Sequence, residues 1–188
     1  MFNVRKATQV AAYLIWKRGG TMSYLKLMKL MYLAEKDSLL RNEEFLTGSK
    51  LVSMPRGPVL SSVYDLFFGG NEYWDQWIYN SGHYNLSLCA RDVDENDPLE
   101  TFDELSLSDQ KVLDEVFERY GRMNRWDLVR ILHDPEFCPE WKDPMGSSLP
   151  IRMESMFLKN GKTTDETKQI LRKLEEVDDL ARVTAKLL

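Results

Sequence analysis

The sequence predicts a mainly α, compact single-domain helical bundle with a small β-hairpin or short strands and a C-terminal amphipathic helix. Apolar residues repeat at helical spacing in several segments, capping residues precede those segments, and Gly and Pro separate them. With 188 residues, 43% of them hydrophobic, the chain can bury the core of one domain. We expect residues 1–160 to form this domain, and residues 161–188 to form a terminal helix that packs on it or on a partner.

Two helices are predicted in the first forty residues. Asn3 is placed to cap a helix over residues 3–18, because its side-chain oxygen can accept a backbone N–H of the first turn, and Gly19-Gly20 ends that helix. The second helix should run from about residue 23 to residue 40. Its apolar stripe consists of Leu27, Leu30, Met31 and Ala34, and its polar side of Lys26, Lys29 and Lys36.

The next segment is predicted to be an ordered loop over residues 41–57, with short extended pieces around Phe45 and Val52. Pro58 suits the first turn of a third helix, since proline lacks the N–H that would go unpaired there. Two partly alternating runs in residues 74–88, separated by Asn80-Ser81-Gly82, favour a β-hairpin.

The second half of the chain begins with an acidic loop over residues 92–104. Ser106 with Asp109 resembles a capping box that opens a helix to Tyr120, and Asn124 caps a short helix through Leu132. Four prolines make residues 135–150 irregular. Thr163 with Glu166 opens the last helix, about 164–187, whose 4-3-4-3-4 seam comprises Ile170, Leu174, Val177, Ala181, Thr184 and Leu188.

The net charge and the cysteine content argue against several classes of protein. The net charge of −5 argues against a dedicated nucleic-acid binder, whose affinity comes largely from neutralising phosphates. Two cysteines are too few for a disulfide scaffold, and neither a signal peptide nor a membrane-spanning run is present. We therefore expect a cytoplasmic protein with reduced thiols and no membrane partner.

Catalytic and cofactor motifs are missing from the sequence. It contains no zinc HExxH, phosphate-binding GxxxxGK[ST], dinucleotide GxGxxG or nucleophile GxSxG motif, which predicts a non-enzyme without a cofactor. An enzyme using His133 with Asp134 is the alternative, although such a pair more often caps a helix C-terminus.

Two groups of residues resemble metal-binding sites. His83, Cys89, His133 and Cys138 could supply four zinc ligands, but their spacing matches no common zinc module. Asp92, Asp94 and Asn96 resemble the start of a calcium loop that lacks the required glycine and the final glutamate. We predict no metal at either place.

The helices over residues 108–132 are reminiscent of a helix-turn-helix. Arg119, Arg122, Arg125 and Arg130 give this hairpin a basic character suited to phosphate or guanine. A nucleic-acid-binding transcriptional regulator is therefore the alternative function. The acidic net charge favours instead an ordinary hairpin whose arginines pair with nearby carboxylates.

Three stretches occur in the order typical of one protein family. The first is Leu27-Met28-Lys29-Leu30-Met31-Tyr32-Leu33-Ala34, and the second is Arg56-Gly57-Pro58-Val59 followed by Tyr64. The third runs from Leu107 through Tyr120-Gly121 and Leu128 to His133 and Trp141. This ordered set resembles the Panacea domain, also called the SocA-like or phage-associated GepA-like domain.

The resemblance implies an antitoxin that neutralises a cognate toxin by direct protein–protein binding, with the toxin usually encoded by an adjacent gene. In the founding SocA case the antitoxin also delivers its toxin to a protease as an adaptor. An acidic antitoxin suits a basic toxin, since complementary potentials speed their encounter. The motif residues that the resemblance marks as scaffold or partner-facing are Lys29, Tyr32, Gly57, Pro58, Val59, Tyr64, His133 and Trp141.

Three surfaces are candidates for the toxin contact. They are the loop 41–57, the polar side of the second helix, which we expect to be exposed, and the terminal helix. The residues that represent them are Phe45 and Arg56, then Lys26 and Lys36, then Leu174, Val177 and Leu180.

Overall fold

The computed structural model describes residues 1–184 and is mainly α, with short antiparallel strands. Eight α-helices lie within those residues: α1 Val4–Lys17, α2 Tyr24–Asn42, α3 Ser61–Gly69, α4 Glu72–Asp75, α5 Leu107–Tyr120, α6 Arg125–Leu132, α7 Met153–Lys159 and α8 Thr164–Thr184. The strands are β1 Thr21–Ser23, β2 Leu51–Met54, β3 Gly57–Leu60, β4 Ile78–Gly82, β5 Asn85–Leu88 and β6 Leu149–Pro150. None of the helices described is both long and apolar enough to cross a membrane.

Helix α2 is the centre of the fold. It contacts α1, α5, α6 and β3, and fourteen of its residues are buried. A helix that is covered on every side cannot keep a polar face in water. The prediction that Lys26 and Lys36 lie on an exposed face is therefore wrong: their exposed fractions are 6% and 8%. Lys29 is buried as well, with an exposed fraction of 0%.

The strands form two three-stranded antiparallel sheets with the orders β1-β5-β4 and β3-β2-β6. The β4–β5 hairpin confirms that residues 78–88 form two paired strands, whereas Trp74 and Asp75 belong to α4. The predicted turn Asn80-Ser81-Gly82 is wrong, because these residues belong to β4 and the turn lies at residues 83–84. Around Val52 the predicted extended piece is β2, but residue 45 lies in no strand.

The prediction that Pro58 begins a helix is wrong. Pro58 lies in β3 opposite Ser53, and α3 begins three residues later at Ser61. Strand β3 is an edge strand, where proline is tolerated because one side of the strand makes no ladder hydrogen bonds.

Four of the predicted helix starts are confirmed by their cap hydrogen bonds. The Asn3 and Asn124 side chains accept backbone N–H groups of α1 and α6. Ser106 with Asp109 and Thr163 with Glu166 make reciprocal capping boxes at α5 and α8. Each device satisfies N–H groups that have no partner inside the helix.

Helix α8 packs on α7, a helix that the sequence pattern did not predict. Ile170 and Leu174 are buried, but Val177 and Leu180 are 56% and 67% exposed. The predicted seam is therefore covered only in its first half. Its last residue, Leu188, lies outside the described residues.

Candidate functional site

The first part of the family motif meets at the turn between β2 and β3. The buried Lys29 ammonium donates a hydrogen bond of 2.9 Å to the Pro58 carbonyl oxygen. Gly57 has φ +93°, and a Cβ on it would lie 3.2 Å from the Lys29 Nζ and 3.6 Å from the His133 Nε2. Only glycine fits this backbone and this spacing comfortably.

His133 and Trp141 cover the other side of that turn. Their rings are 4.2 Å apart at 34°, and the Trp141 indole N–H donates to the Met54 carbonyl at 3.2 Å. Within residues 1–184 the His133 Nε2 is buried without a hydrogen-bond partner. The neighbouring Asp134 accepts the Glu136 backbone N–H, so its carboxylate caps a turn.

Burial sets the protonation of the two bases at this turn. It lowers the pKa of Lys29 from 10.5 to about 7, against a smaller opposing effect of Cys138. Burial, and then the Lys29 charge, lowers the pKa of His133 despite the opposing charge of Asp143. A lysine with such a depressed pKa is unusual outside functional or tightly constrained sites.

A second buried network is centred on Glu140, which the sequence pattern did not single out. Its Oε1 accepts from the Tyr32 hydroxyl at 2.6 Å, pairs with the Lys36 ammonium at 2.8 Å and accepts from the Cys138 thiol at 3.3 Å. Its Oε2 accepts from the Asn160 side chain at 3.1 Å. The network ties α2 to the segment before β6 and to the end of α7.

The pKa values in this network follow from burial and pairing. Burial would raise the pKa of Glu140, but the Lys36 ammonium and the hydrogen bonds from Lys36, Tyr32 and Asn160 outweigh it and lower the pKa. Burial raises the pKa of Cys138 to about 12, and burial with the Cys138 and Glu140 charges raises that of Tyr32. Glu140 is thus the ionised member, held by neutral donors and one cation.

Beside the Gly57 turn lies a cavity of about 210 Å³, walled by Tyr24, Met28, Val59 and Tyr64, with Arg56 at its margin. Ligand pockets commonly measure about 300–1,000 Å³. The cavity therefore matches one inserted side chain of a partner better than a cofactor.

The cavity continues into an aromatic surface of three half-buried and two exposed residues, which we call the aromatic rim: Tyr24, Tyr64, Phe67, Phe68 and Tyr84. The Tyr24 ring stacks on Phe67 at 4.7 Å, and Tyr64 contacts Phe68 at 4.7 Å. Phe68 and Tyr84 are 61% and 71% exposed. Contiguous exposed aromatics typically mark an interaction surface. The sequence showed only scattered aromatics, because their proximity depends on how α3 and the β4–β5 turn meet α2.

The predicted contact residues fall into two groups. Arg56, Val177 and Leu180 are exposed and Phe45 is half-buried, so they remain candidates. Lys26, Lys36 and Leu174 are buried by the chain itself, with Lys26 donating to the Gly121 carbonyl and Lys36 paired to Glu140. These buried side chains stabilise the fold and are not placed to contact a partner.

The predicted metal candidates lie apart. In residues 1–184 no three His, Cys, Asp or Glu side chains form a metal-binding group. Cys138 belongs to the Glu140 network, while His83 is exposed in the β4–β5 turn. Asp94 accepts the backbone N–H of Asn96, the hydrogen bond of an ordinary polar turn.

Of the four arginines predicted to make the α5–α6 hairpin basic, two form ion pairs with described residues and two do not. Arg119 pairs with Glu115 and Arg130 with Asp127. Arg122 and Arg125 make no ion pair with any described residue. Only half of the basic character is thus neutralised locally.

Comparison with known protein families identifies a matching family. The family described as Antitoxin SocA-like, Panacea domain matches residues 27–142, more than half of the chain. No curated protein and no solved structure matches the chain significantly. The matched region begins within α2 and ends just after Trp141, and it contains every residue of the two groups described above except Asn160.

Proposed function

The chain belongs to the SocA-like antitoxin family with its Panacea domain, and from that premise we propose that it neutralises a cognate protein toxin by binding it directly. Family membership is the observation that carries this proposal. We place the encounter in the cytoplasm and expect the toxin to be the product of an adjacent gene. Delivery of the bound toxin to a protease is a further part of the proposal.

The mechanism that we propose is occlusion without catalysis. His133 supports it, because its ring packs on Trp141 while the Asp134 carboxylate is engaged by a backbone N–H. Lys29 supports it as well, because its ammonium is fully buried against the Pro58 carbonyl and holds the β2–β3 turn. These motif residues build a rigid support for a binding surface.

The aromatic rim is the surface that we propose for toxin binding. A few large aromatic side chains dominate the free energy of most protein interfaces, and Phe68 and Tyr84 are available as such anchors. The adjacent cavity of about 210 Å³ can receive one apolar side chain of the toxin. The net charge of −5 favours a basic toxin, since opposite potentials accelerate association.

The test combines growth rescue with binding to the purified product of the adjacent gene. Phe68→Ala with Tyr84→Asn should weaken toxin binding by about 100-fold, the loss of two anchors, and should abolish rescue. Asparagine is chosen because Tyr84 has φ +62°, a conformation that asparagine tolerates. The melting temperature should stay close to that of the wild type, since both side chains are exposed.

The matched control removes apolar side chains from the other exposed candidate surface. Val177→Ala with Leu180→Ala should retain binding and rescue. If this control loses binding while the rim variant keeps it, α8 is the toxin-binding surface. If the wild-type chain neither binds the neighbouring product nor rescues growth, the proposal as a whole is refuted.

A further inference from the structure

Four cationic side chains line one cavity at the start of α2. The cavity has a volume of about 350 Å³ and lies between the end of α1, the start of α2 and the α5–α6 turn. Arg18, Lys26, Arg122 and Arg125 line it. Among the described residues that line it, none is acidic.

These charges are not neutralised by the protein. Arg18, Arg122 and Arg125 form no ion pair within residues 1–184, although nearby Arg119 and Arg130 do. In a chain of net charge −5, carboxylates are abundant, so a cavity without one is a distinctive electrostatic feature. The arrangement gives a locally positive concavity in an acidic protein.

Lys26 distinguishes the cavity from a cluster of exposed arginines, because its ammonium is held in place by the fold. It is only 6% exposed, and its ammonium is positioned by a hydrogen bond of 2.5 Å to the Gly121 carbonyl at the end of α5. Burial, and then the Arg18 charge, lowers the pKa of Lys26, as expected where cations face each other without an anion between them. One of the three ammonium protons is engaged by Gly121, which leaves two for a ligand.

The start of α2 adds donors to the same wall. Ser23 is the N-cap residue of this 19-residue helix, yet its side chain makes no capping hydrogen bond. Ser23 is among the residues that line the cavity. A helix N-terminus favours anions, because its first N–H groups and the helix dipole both point toward them.

We propose that this cavity binds the polyphosphate group of a compact ligand of the nucleoside di- or triphosphate class. Several closely spaced phosphates match several closely spaced cations, and arginine binds phosphate through two parallel N–H donors. The volume of about 350 Å³ falls within the range of small-molecule sites, about 300–1,000 Å³. Met22 and Met123 provide apolar wall for the rest of the ligand.

A nucleic acid fits this geometry less well. It needs a basic track that follows several phosphates along a strand, and each additional phosphate would meet the negative field of a chain with net charge −5. A compact anion can enter the positive cavity while exposing little of its charge to the acidic surface of the rest of the protein. The two ligand classes therefore predict different binding results.

Isothermal titration calorimetry of the full chain with ATP, inorganic pyrophosphate, adenosine and a single-stranded DNA 20-mer tests the proposal. ATP and pyrophosphate should bind in EDTA with Kd below about 1 mM, and adenosine should not bind. Equal affinity for ATP and pyrophosphate assigns recognition to the phosphates alone, whereas tighter ATP binding adds contacts to the nucleoside. Absence of ATP and pyrophosphate binding, or DNA binding stronger than that of ATP, overturns the proposal.

The variant Arg122→Gln with Arg125→Gln locates the site. It should weaken ATP binding by about tenfold or more, because two charge-assisted hydrogen-bonding groups are lost. Arg152→Gln with Arg172→Gln changes the net charge equally at exposed positions outside the cavity, and should leave the affinity within about twofold of the wild type. Equal weakening by both variants would assign binding to general charge and overturn the site. Toxin rescue is a separate readout, so failure here leaves the proposed antitoxin function standing.

Discussion

The depressed pKa of Lys29 predicts a pH dependence of stability that one substitution should remove. In the native state burial lowers the pKa to about 7, whereas the unfolded lysine has the ordinary value of 10.5. Between pH 7 and pH 9 the native amine therefore loses its proton while the unfolded amine keeps it. The unfolded state then binds more protons, so the free energy of unfolding rises with pH.

The magnitude follows from the two pKa values. Proton linkage gives an increase of about 2 kcal/mol in the free energy of unfolding between pH 7 and pH 9. The interval ends at pH 9 because Cys138, whose pKa burial raises to about 12, begins to act in the opposite direction there. Other groups also titrate in this interval, so the comparison must be with a variant rather than with a theoretical baseline.

Lys29→Met removes the amine and keeps an unbranched side chain in the same buried space. Urea unfolding at several pH values should show the wild type gaining about 2 kcal/mol more than Lys29→Met between pH 7 and pH 9. Lys168→Met, an exposed position on α8, should follow the wild-type profile. Parallel profiles for the wild type and Lys29→Met would show that the native amine has an ordinary pKa, and would refute the reasoning from burial.

Two further substitutions test the supports of the proposed binding surface. Glu140→Ala should lower the free energy of unfolding by about 3–5 kcal/mol, because it leaves a buried cation and the Tyr32 hydroxyl without their acceptor; a loss below about 1 kcal/mol in urea unfolding would contradict this account. Gly57→Ala should cost about 1–3 kcal/mol, since φ is +93° and the new Cβ would approach the Lys29 ammonium at 3.2 Å. Gly146→Ala, also at positive φ but with open space around it, isolates the backbone contribution, and an equal loss in both variants would exclude a role for the contact.

Local signals in the sequence located five of the eight helices within residues 1–184, namely α1, α2, α5, α6 and α8. The caps at Asn3, Ser106 and Asn124 depend on hydrogen bonds that span two or three residues, so residue type and spacing were sufficient to predict them. The β4–β5 hairpin was similarly indicated by alternation around a turn. Such features require no knowledge of the rest of the chain.

The errors arose where distant residues determine the outcome. Lys26 and Lys36 occupy the polar positions of an amphipathic pattern, but their partners are Gly121 and Glu140, about one hundred residues away in sequence. Pro58 carries a helix-start signal that pairing with β2 overrides. A lysine-rich helix stripe can equally indicate a solvated face or a buried set of cations with distant acceptors.

The candidate site likewise contains residues that the sequence indicated and residues that it did not. The resemblance brought together Lys29, Gly57, His133 and Trp141, and the structure places them around one turn. It did not indicate Glu140, because an isolated glutamate in an irregular proline-rich segment has no periodic signal. Nor did it indicate the aromatic rim, whose members come from three separate elements.

The buried motif residues support the fold, and the exposed rim forms the surface that we propose for toxin binding. Lys29 and Tyr32 have no exposed surface, and their hydrogen bonds hold the β2–β3 turn and the Glu140 segment against α2. Phe68 and Tyr84 are largely exposed and contact neighbouring aromatic rings, so changing them alters the surface while those hydrogen bonds stay in place. Because interface affinity depends on a few anchors, a handful of substitutions on the rim should change the bound toxin, on the proposal that the rim binds it, while the fold keeps its stability.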